Sequence, residues 1–275
     1  EINPRMTNWQ DRHQALLAAL DSRILVLDGA MGTMLHRFNP TMADWGGAKF
    51  ENCTENLLFT HPEWVASVHR DYFAAGSDIV ETNTFGGHTI TLAEFGIEDR
   101  VHDVNFIAAQ LARQVAAEFD QPGRLRFVGG SMGPTTKAIT VSGGVTFSEL
   151  RDGYYKQAQG LIDGGADLLL VETCNDTRNI KSALLAIDQL SRELARPIPV
   201  IVSGTIEPMG TMLAGQTADA FFTSIAHANI LAAGLNCATG PEFMTDHIRT
   251  IHELATTRVS CYPNAGMPDE EGHYL

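Results

Sequence analysis

Leu168-Leu-Leu-Val-Glu-Thr173 opens with four consecutive apolar side chains and closes on two polar ones. Side chains alternate faces along an extended chain, so an unbroken apolar run puts apolar groups on both faces. That suits a strand of a parallel sheet covered on both sides. Working outward, runs of the same kind recur: Arg23–Gly29, Ile79–Phe85, Arg126–Ser131, Pro199–Thr205, Ile230–Cys237 and Arg258–Pro263. Seven strand candidates result, each able to reach the next through a right-handed crossover.

Helix signals fill the gaps. Thr60-His-Pro-Glu63 reads as a capping box with Pro early in the helix, Val65, Val68 and Tyr72 on one face, and Gly76 as the stop. Thr146-Phe-Ser-Glu149 repeats the signature, and Gly164-Gly165 closes that helix. Val104, Ala108, Leu111 and Val115 form a stripe of another helix. Pro241 begins the last, with Phe243, Ile248, Ile251 and Leu254 as its apolar positions. Repeated βα units fit an open doubly wound sheet or a (βα) barrel. No strand is followed by GxGxxG with a downstream acid, which weighs against a dinucleotide fold. A helix over Trp9–Leu20 would cap the floor of a barrel.

The 275 residues are 44% hydrophobic, enough for one large domain. With 33 acidic and 19 basic residues the formal net charge is −14, and no basic block stands out. Nucleic acid and anionic membranes are therefore unfavourable partners. No apolar run has the length of a membrane span. Glu1-Ile-Asn-Pro-Arg5 lacks the pattern of a signal peptide, so a cytoplasmic location is expected. The polar stretch Pro268–Leu275 reads as a fragment boundary. Cys53, Cys174, Cys237 and Cys261 are widely spaced, without CxxC, which predicts free thiols.

Barrel enzymes place their chemistry at the C-terminal ends of the strands. The candidates there are Asp28-Gly-Ala-Met-Gly-Thr33, Glu81-Thr-Asn-Thr84, Gly129–Thr135, Glu172-Thr-Cys174, Ser203-Gly-Thr205, Asn236-Cys237 and Asn264-Ala-Gly266. Asp28, Glu81 and Glu172 converge. They would either cap helices and pair with buried bases, or hold a cationic group such as an α-amine. An acid/base pair for glycoside hydrolysis is a further option, disfavoured by the lack of aromatic platforms. The glycine-spaced Gly29, Ala30, Met31, Gly32 and Thr33 suggest a tight turn with φ > 0, or a nest of backbone N–H groups facing a carboxylate, or both. Cys237 is either inert packing or a thiolate. Cys174 and Cys261 also lie near strand ends, so a cysteine-rich zinc site is open, although no two-residue spacing supports it. Cys53 has no assigned role. The histidines include no HExxH, and His247 and His252 face differently on their helix.

Asp28-Gly-Ala-Met-Gly-Thr-Met34, Ala75–Phe85, Gly133-Pro-Thr135, Gly165–Thr173, Gly234-Leu-Asn-Cys237 and Pro263-Asn-Ala-Gly266 together resemble the homocysteine S-methyltransferase family. The resemblance runs through nearly the whole chain in order. It is nearest the homocysteine-binding region of the cobalamin-dependent methionine synthases, through Glu55–Glu63 and Gly133–Lys137. It implies a (βα)8 TIM barrel, here cut off before strand eight, with residues 1–22 as the floor helix and 23–275 as the barrel. It further implies that Asp28 and Glu172, with Glu81 beside them, receive the homocysteine amine, and that the Gly29–Thr33 backbone receives the carboxylate. Asn236 and Asn264 would line the substrate site. Cys237 would be one of three cysteine ligands to Zn2+, and the other two, an adjacent pair, have no counterpart in the chain. Zinc would keep the substrate thiol ionised for methyl transfer. Methylcobalamin would donate the methyl, with 5-methyltetrahydrofolate as its source, both handled by cobalamin- and folate-binding domains of a parent chain. Betaine or S-methylmethionine are the alternative donors, and a non-catalytic amino-acid-binding barrel is the alternative role. The resemblance also predicts that the chain alone is inactive and prone to aggregate.

Overall fold

The computed structural model describes residues 9–265. The stretches Glu1–Arg5 and Pro268–Leu275, and Gly266 of the last motif, lie outside the described residues. Helix α1 (Trp9–Ser22) leads into an extended segment and the short α2 (Met31–His36). Then come α3 (Leu57–Thr60), α4 (Pro62–Ala75), β1 (Ile79–Glu81), α5 (Thr89–Ala93), α6 (Val101–Phe119), β2 (Phe127–Met132), α7 (Phe147–Asp163) and β3 (Leu168–Cys174). The chain continues through α8 (Thr177–Glu193), β4 (Val200–Gly204), α9 (Ala218–Ile225), β5 (Ala232–Asn236), α10 (Pro241–Leu254) and β6 (Arg258–Tyr262).

The six strands form one parallel sheet in sequence order. Their inner-face residues Ile79, Phe127, Leu168, Leu170, Ile201 and Ala232 form a single buried cluster with Leu16 of α1. The sheet curls around this cluster, giving a partial (βα) barrel with its helices outside. The opposite faces of the same strands, Val128, Leu169, Val171, Val200, Val202 and Ala233, pack under the helices. Both faces of the strands are thus apolar, as the Leu168–Val171 run requires.

The first strand candidate, Arg23–Gly29, is not a strand. It makes one bridge, Leu27 to Ile79, and the Val26 carbonyl accepts from the N–H groups of Asp78 and Ile79. Only one side of the segment is paired, and Ile24 and Val26 are 89% and 55% exposed. Among the described residues six strands form rather than seven, because a run apolar on both faces needs cover on both.

Helix α1 lies across the N-terminal ends of the strands. Leu16 is fully buried in the inner cluster, and the Arg12 guanidinium binds Asp167 at 2.5 and 3.0 Å. Asp167 also accepts from the N–H of Val128 and from Arg113, so one carboxylate ties α1, α6 and the start of β2 together.

The helix boundaries follow the sequence signals with two exceptions. Thr146 and Glu149 form the reciprocal capping box of α7, and Gly76 ends α4 with φ 113°. At α4, however, the cap residue is His61, and the box expected from Thr60 does not form. Thr60 already belongs to α3 and its hydroxyl donates back to the Asn56 carbonyl, so it cannot take an extended cap conformation. Glu63 pairs with His61 Nδ1 instead. In α10 the buried stripe runs through Met244 and Ile251, whereas Phe243 and Leu254 are exposed.

Candidate functional site at the C-terminal strand ends

Alternation carries the inner face upward from the apolar cluster. Two residues beyond Ile79 stands Glu81, and two beyond Leu170 stands Glu172. Two beyond Ile201 stands Ser203, and Ser131 and Asn236 each lie four residues beyond the inner-face residues Phe127 and Ala232. Asn236 is in register with Tyr262 on β6. The inner layer thus turns from apolar to polar at the C-terminal end.

Two buried carboxylates, Asp28 and Glu172, and the half-buried Glu81 meet there. Asp28 Oδ2 accepts the N–H of Glu81 at 2.9 Å, while Oδ1 is buried without a partner. Glu172 Oε1 accepts from the Ser131 hydroxyl. Glu81 Oε1 is a second buried oxygen without a partner. Among the described residues none of the three forms an ion pair. Burial pushes all three carboxyls up, and mutual repulsion pushes Asp28 and Glu81 further. Two phenols feel the same field. Tyr262 and Tyr72 are both raised by burial first and then by the neighbouring carboxylates.

The loop after Asp28 differs from its sequence reading. Neither Gly29 nor Gly32 has positive φ. Gly29 is required because a Cβ there would stand 2.6 Å from Tyr72 Oη. Gly32 and Thr33 lie in the first turn of α2, whose N-cap, Ala30, gives no side-chain cap. The first N–H groups of such a turn have no partner within the helix.

Cys237 follows β5 as the first of two consecutive left-handed residues, with φ 60° and then 56° at Ala238. Its N–H donates to the Tyr262 carbonyl at 3.1 Å, and its thiol is free and half-buried. Asn236 bridges to the end of β3. Its Oδ1 accepts the N–H of Thr173 at 2.9 Å, and its Nδ2 donates to Thr173 Oγ1 at 2.7 Å. Thr173 itself has φ 52°, so this clamp holds a strained residue directly after Glu172. Asn264 is half-buried, and its N–H donates to the Thr239 carbonyl at 3.2 Å.

The other cysteines stand apart. Cys174 is buried in the outer core, with its thiol pushed up by burial. Cys53 is buried between α3 and α4 residues, its thiol pushed up to about 12 by burial and by Glu55. Cys261 is exposed, with Sγ 3.7 Å from Met244 Sδ. The cysteine-rich site left open by the sequence is therefore not formed from Cys174 and Cys261, which face away from the inner layer. Among the described residues no group of three His, Cys, Asp or Glu side chains could hold a metal ion. Cys237 alone does not complete a zinc site.

Ser131 is a direct partner of Glu172, Tyr72 packs against Gly29 after Asp28, and Tyr262 is in register with Asn236. Sequence reasoning gave none of the three a role. Alternation along Arg258–Tyr262 could have found Tyr262; Tyr72 is legible only as part of one face of α4, not as a neighbour of Gly29. A cleft of about 610 Å³ lies at the opposite end, between α1 and the 121–125 turn. Its Arg23 and Arg124 are committed to Asp78, so the polar strand ends are the better candidate.

The family model for homocysteine S-methyltransferase matches residues 25–275. A methionine synthase from Mycobacterium tuberculosis is 43% identical over 253 residues, which is 92% of this chain and 21% of that protein. The chain thus spans about a fifth of that relative's length. The metallated form of the homocysteine methyltransferase MmuM from Escherichia coli superposes with a TM-score of 0.78 at 24% identity, covering 92% of this chain and 88% of that one. Its apo form gives 0.72 at 23% identity, covering 91% and 86%. These two likenesses support the barrel fold. No described helix is long and apolar enough to cross a membrane. By the match over nearly its whole length, the chain belongs to the homocysteine S-methyltransferase family.

Proposed function

We propose that this chain binds homocysteine and presents its sulfur for methylation to methionine. The observation that carries this reading is the uncompensated acidic layer. Asp28 and Glu172 are buried and Glu81 beside them is half-buried, none of the three pairs with a base among the described residues, and two of their buried oxygens lack any partner. Leaving such groups unpaired is costly, so a cationic ligand that completes them gains strong charge-assisted hydrogen bonds. The α-ammonium of an amino acid fits that need, with Asp28, Glu81 and Glu172 as its acceptors. The N–H groups of the Gly29, Ala30, Met31, Gly32 and Thr33 loop would receive the α-carboxylate. Asn236, fixed against Thr173, and Asn264 would line the side toward Cys237, where the thiol arrives.

Zinc enters this proposal as a group to which Cys237 contributes one thiolate, with the other ligands outside the described residues. When bound, it would keep a sulfur ionised at neutral pH. The chain's own residues bind the ammonium, orient the side chain and exclude water from the acids. Methylcobalamin, supplied by cobalamin- and folate-binding domains of a longer protein, is the proposed donor, in keeping with the methionine synthase relative.

Glu172→Gln tests the proposal. Loss of one charge-assisted contact should weaken homocysteine binding about tenfold or more, whereas the unfolding midpoint stays level or rises because a buried charge is gone. Unchanged affinity in a folded variant would remove the acids from the substrate site.

A further inference from the structure

We propose that His61 is a proton-operated clasp: as the imidazolium it pins the 37–47 segment to the start of α4, and as the neutral ring it lets that segment loosen. The segment leaves α2, whose first residue, Met31, follows closely on Asp28, so the clasp acts on the chain just beyond the Asp28–Thr33 loop.

Both nitrogens of the His61 ring meet a carboxylate. Nδ1 lies 3.0 Å from Glu63 Oε1, and Nε2 lies 2.9 Å from Asp44 Oδ1. A carboxylate only accepts, and a neutral imidazole donates from one nitrogen, so two such contacts at once require the doubly protonated ring. Glu63 is a local partner, two residues on, whereas Asp44 is 17 residues away and makes the tie. Asp44 is itself held in place. Its Oδ2 accepts the N–H of Thr41 at 2.8 Å and the Thr41 hydroxyl at 2.6 Å, which leaves Oδ1 for His61.

A stack of rings adds a second link. Trp64 on α4 lies nearly parallel to His61, at 7° with centroids 4.0 Å apart, and nearly parallel to Phe38, at 4° and 4.8 Å. A cationic ring gains from the indole face what a neutral ring does not. The segment therefore reaches α4 through Asp44 and Phe38, and His61 or its stacking partner takes part in both contacts. The His61 side chain is 26% exposed, so water can exchange protons with it.

The titratable groups against the ring are Asp44 from the segment and Glu63 from α4. Helix α3, which ends at Thr60, carries none, and His36 on α2 faces Trp45, with ring centroids 5.7 Å apart. The Glu63 contact and then the Asp44 contact hold the imidazolium above its ordinary pKa, whereas Thr41 holds Asp44, and His61 holds Glu63, below theirs. On the alkaline side the clasp is complete below the ordinary histidine value and is lost as pH rises through the raised one. On the acid side it is present above the ordinary carboxylate range and is lost as pH falls through the lowered values. When the imidazolium gives one proton to water, the ring keeps a single N–H. One of the two carboxylates then faces a lone pair, and the charge that attracted both is gone.

NMR titration of the His61 ring, together with amide hydrogen exchange of the segment, tests this on the full chain. The ring should titrate above the ordinary value of about 6.5 and fall toward it in Asp44→Asn. The amides of Trp45, Gly46 and Gly47, which bond to the carbonyls of Thr41, Ala43 and Met42, report the segment. Corrected for intrinsic exchange, their protection should drop about two- to fivefold between about pH 5.5 and about pH 8, the range of a part-exposed ion pair. His61→Gln keeps a donor but carries no charge, so its protection should be low at both pH values. Amides in the middle of α4 should show no such change in either protein. A His61 ring that titrates at or below the ordinary value overturns the proposal, and so does an equal pH-dependent loss in His61→Gln. The wild-type titration decides alone if that variant does not fold.

Discussion

Gly29→Ala is the substitution whose cost follows most directly from the packing. Gly29 does not use the left-handed region, so its backbone is open to any residue. Its constraint is space. A Cβ would stand 2.6 Å from Tyr72 Oη, 2.9 Å from Cε1 and 3.0 Å from Cζ. Carbon contacts are comfortable at about 3.5–4.0 Å, so the overlap approaches an ångström. Either the Tyr72 ring yields and loses its 3.3 Å bond to the Ala30 carbonyl, or the Asp28 segment shifts off the Glu81 N–H. Overpacking of this size costs about 1–3 kcal/mol. The clash is with one side chain, so most of that cost should vanish in a Tyr72→Ala background. Urea unfolding of the wild type, both single variants and the double variant measures the coupling, provided that the slope of the transition stays constant. An equal cost for Gly29→Ala in both backgrounds would refute the steric account of this glycine.

Two other outcomes follow from the same geometry. The buried carboxyls have folded pKa values raised above their ordinary range, so the folded chain holds protons that the unfolded chain gives up. Their stabilising contribution is complete below about pH 4 and is lost as pH rises through the folded values; a pH series of unfolding midpoints should show that decline, and Glu81→Gln should flatten it. Arg12→Ala strands Asp167, a residue with a side-chain exposure of 4%, and removes the clamp between α1 and the sheet. A loss of about 3 kcal/mol is expected by denaturant unfolding, moderated because Arg113 still pairs with Asp167.

The sequence shows the repeated units and the acids better than it shows their surroundings. Leu168–Val171 is a strand because its apolar run satisfies two packed faces, and the same logic identifies β2, β4 and β5. It misjudges Arg23–Gly29, since composition says what a run needs but not whether a neighbour covers it. The convergence of Asp28, Glu81 and Glu172 is legible from their places at strand ends. The places of Ser131 and Tyr72 beside them depend on packing between distant segments. The glycines of the Asp28–Thr33 loop mislead for a related reason: Gly29 is small to admit Tyr72, which sits more than forty residues away, and not to turn the backbone. Likewise Asn236 has both ends of its amide engaged by Thr173, a pairing that no local pattern displays.

At the centre of this account, a buried, baseless acidic layer selects a ligand by its ammonium group. Comparing the affinity of the chain for L-methionine with that for its desamino analogue, which keeps the carboxylate and thioether, tests it most directly. The account predicts measurable binding of methionine and a loss of at least about a hundredfold for the analogue, as expected for two or more charge-assisted hydrogen bonds. Equal affinity for the two compounds would contradict it.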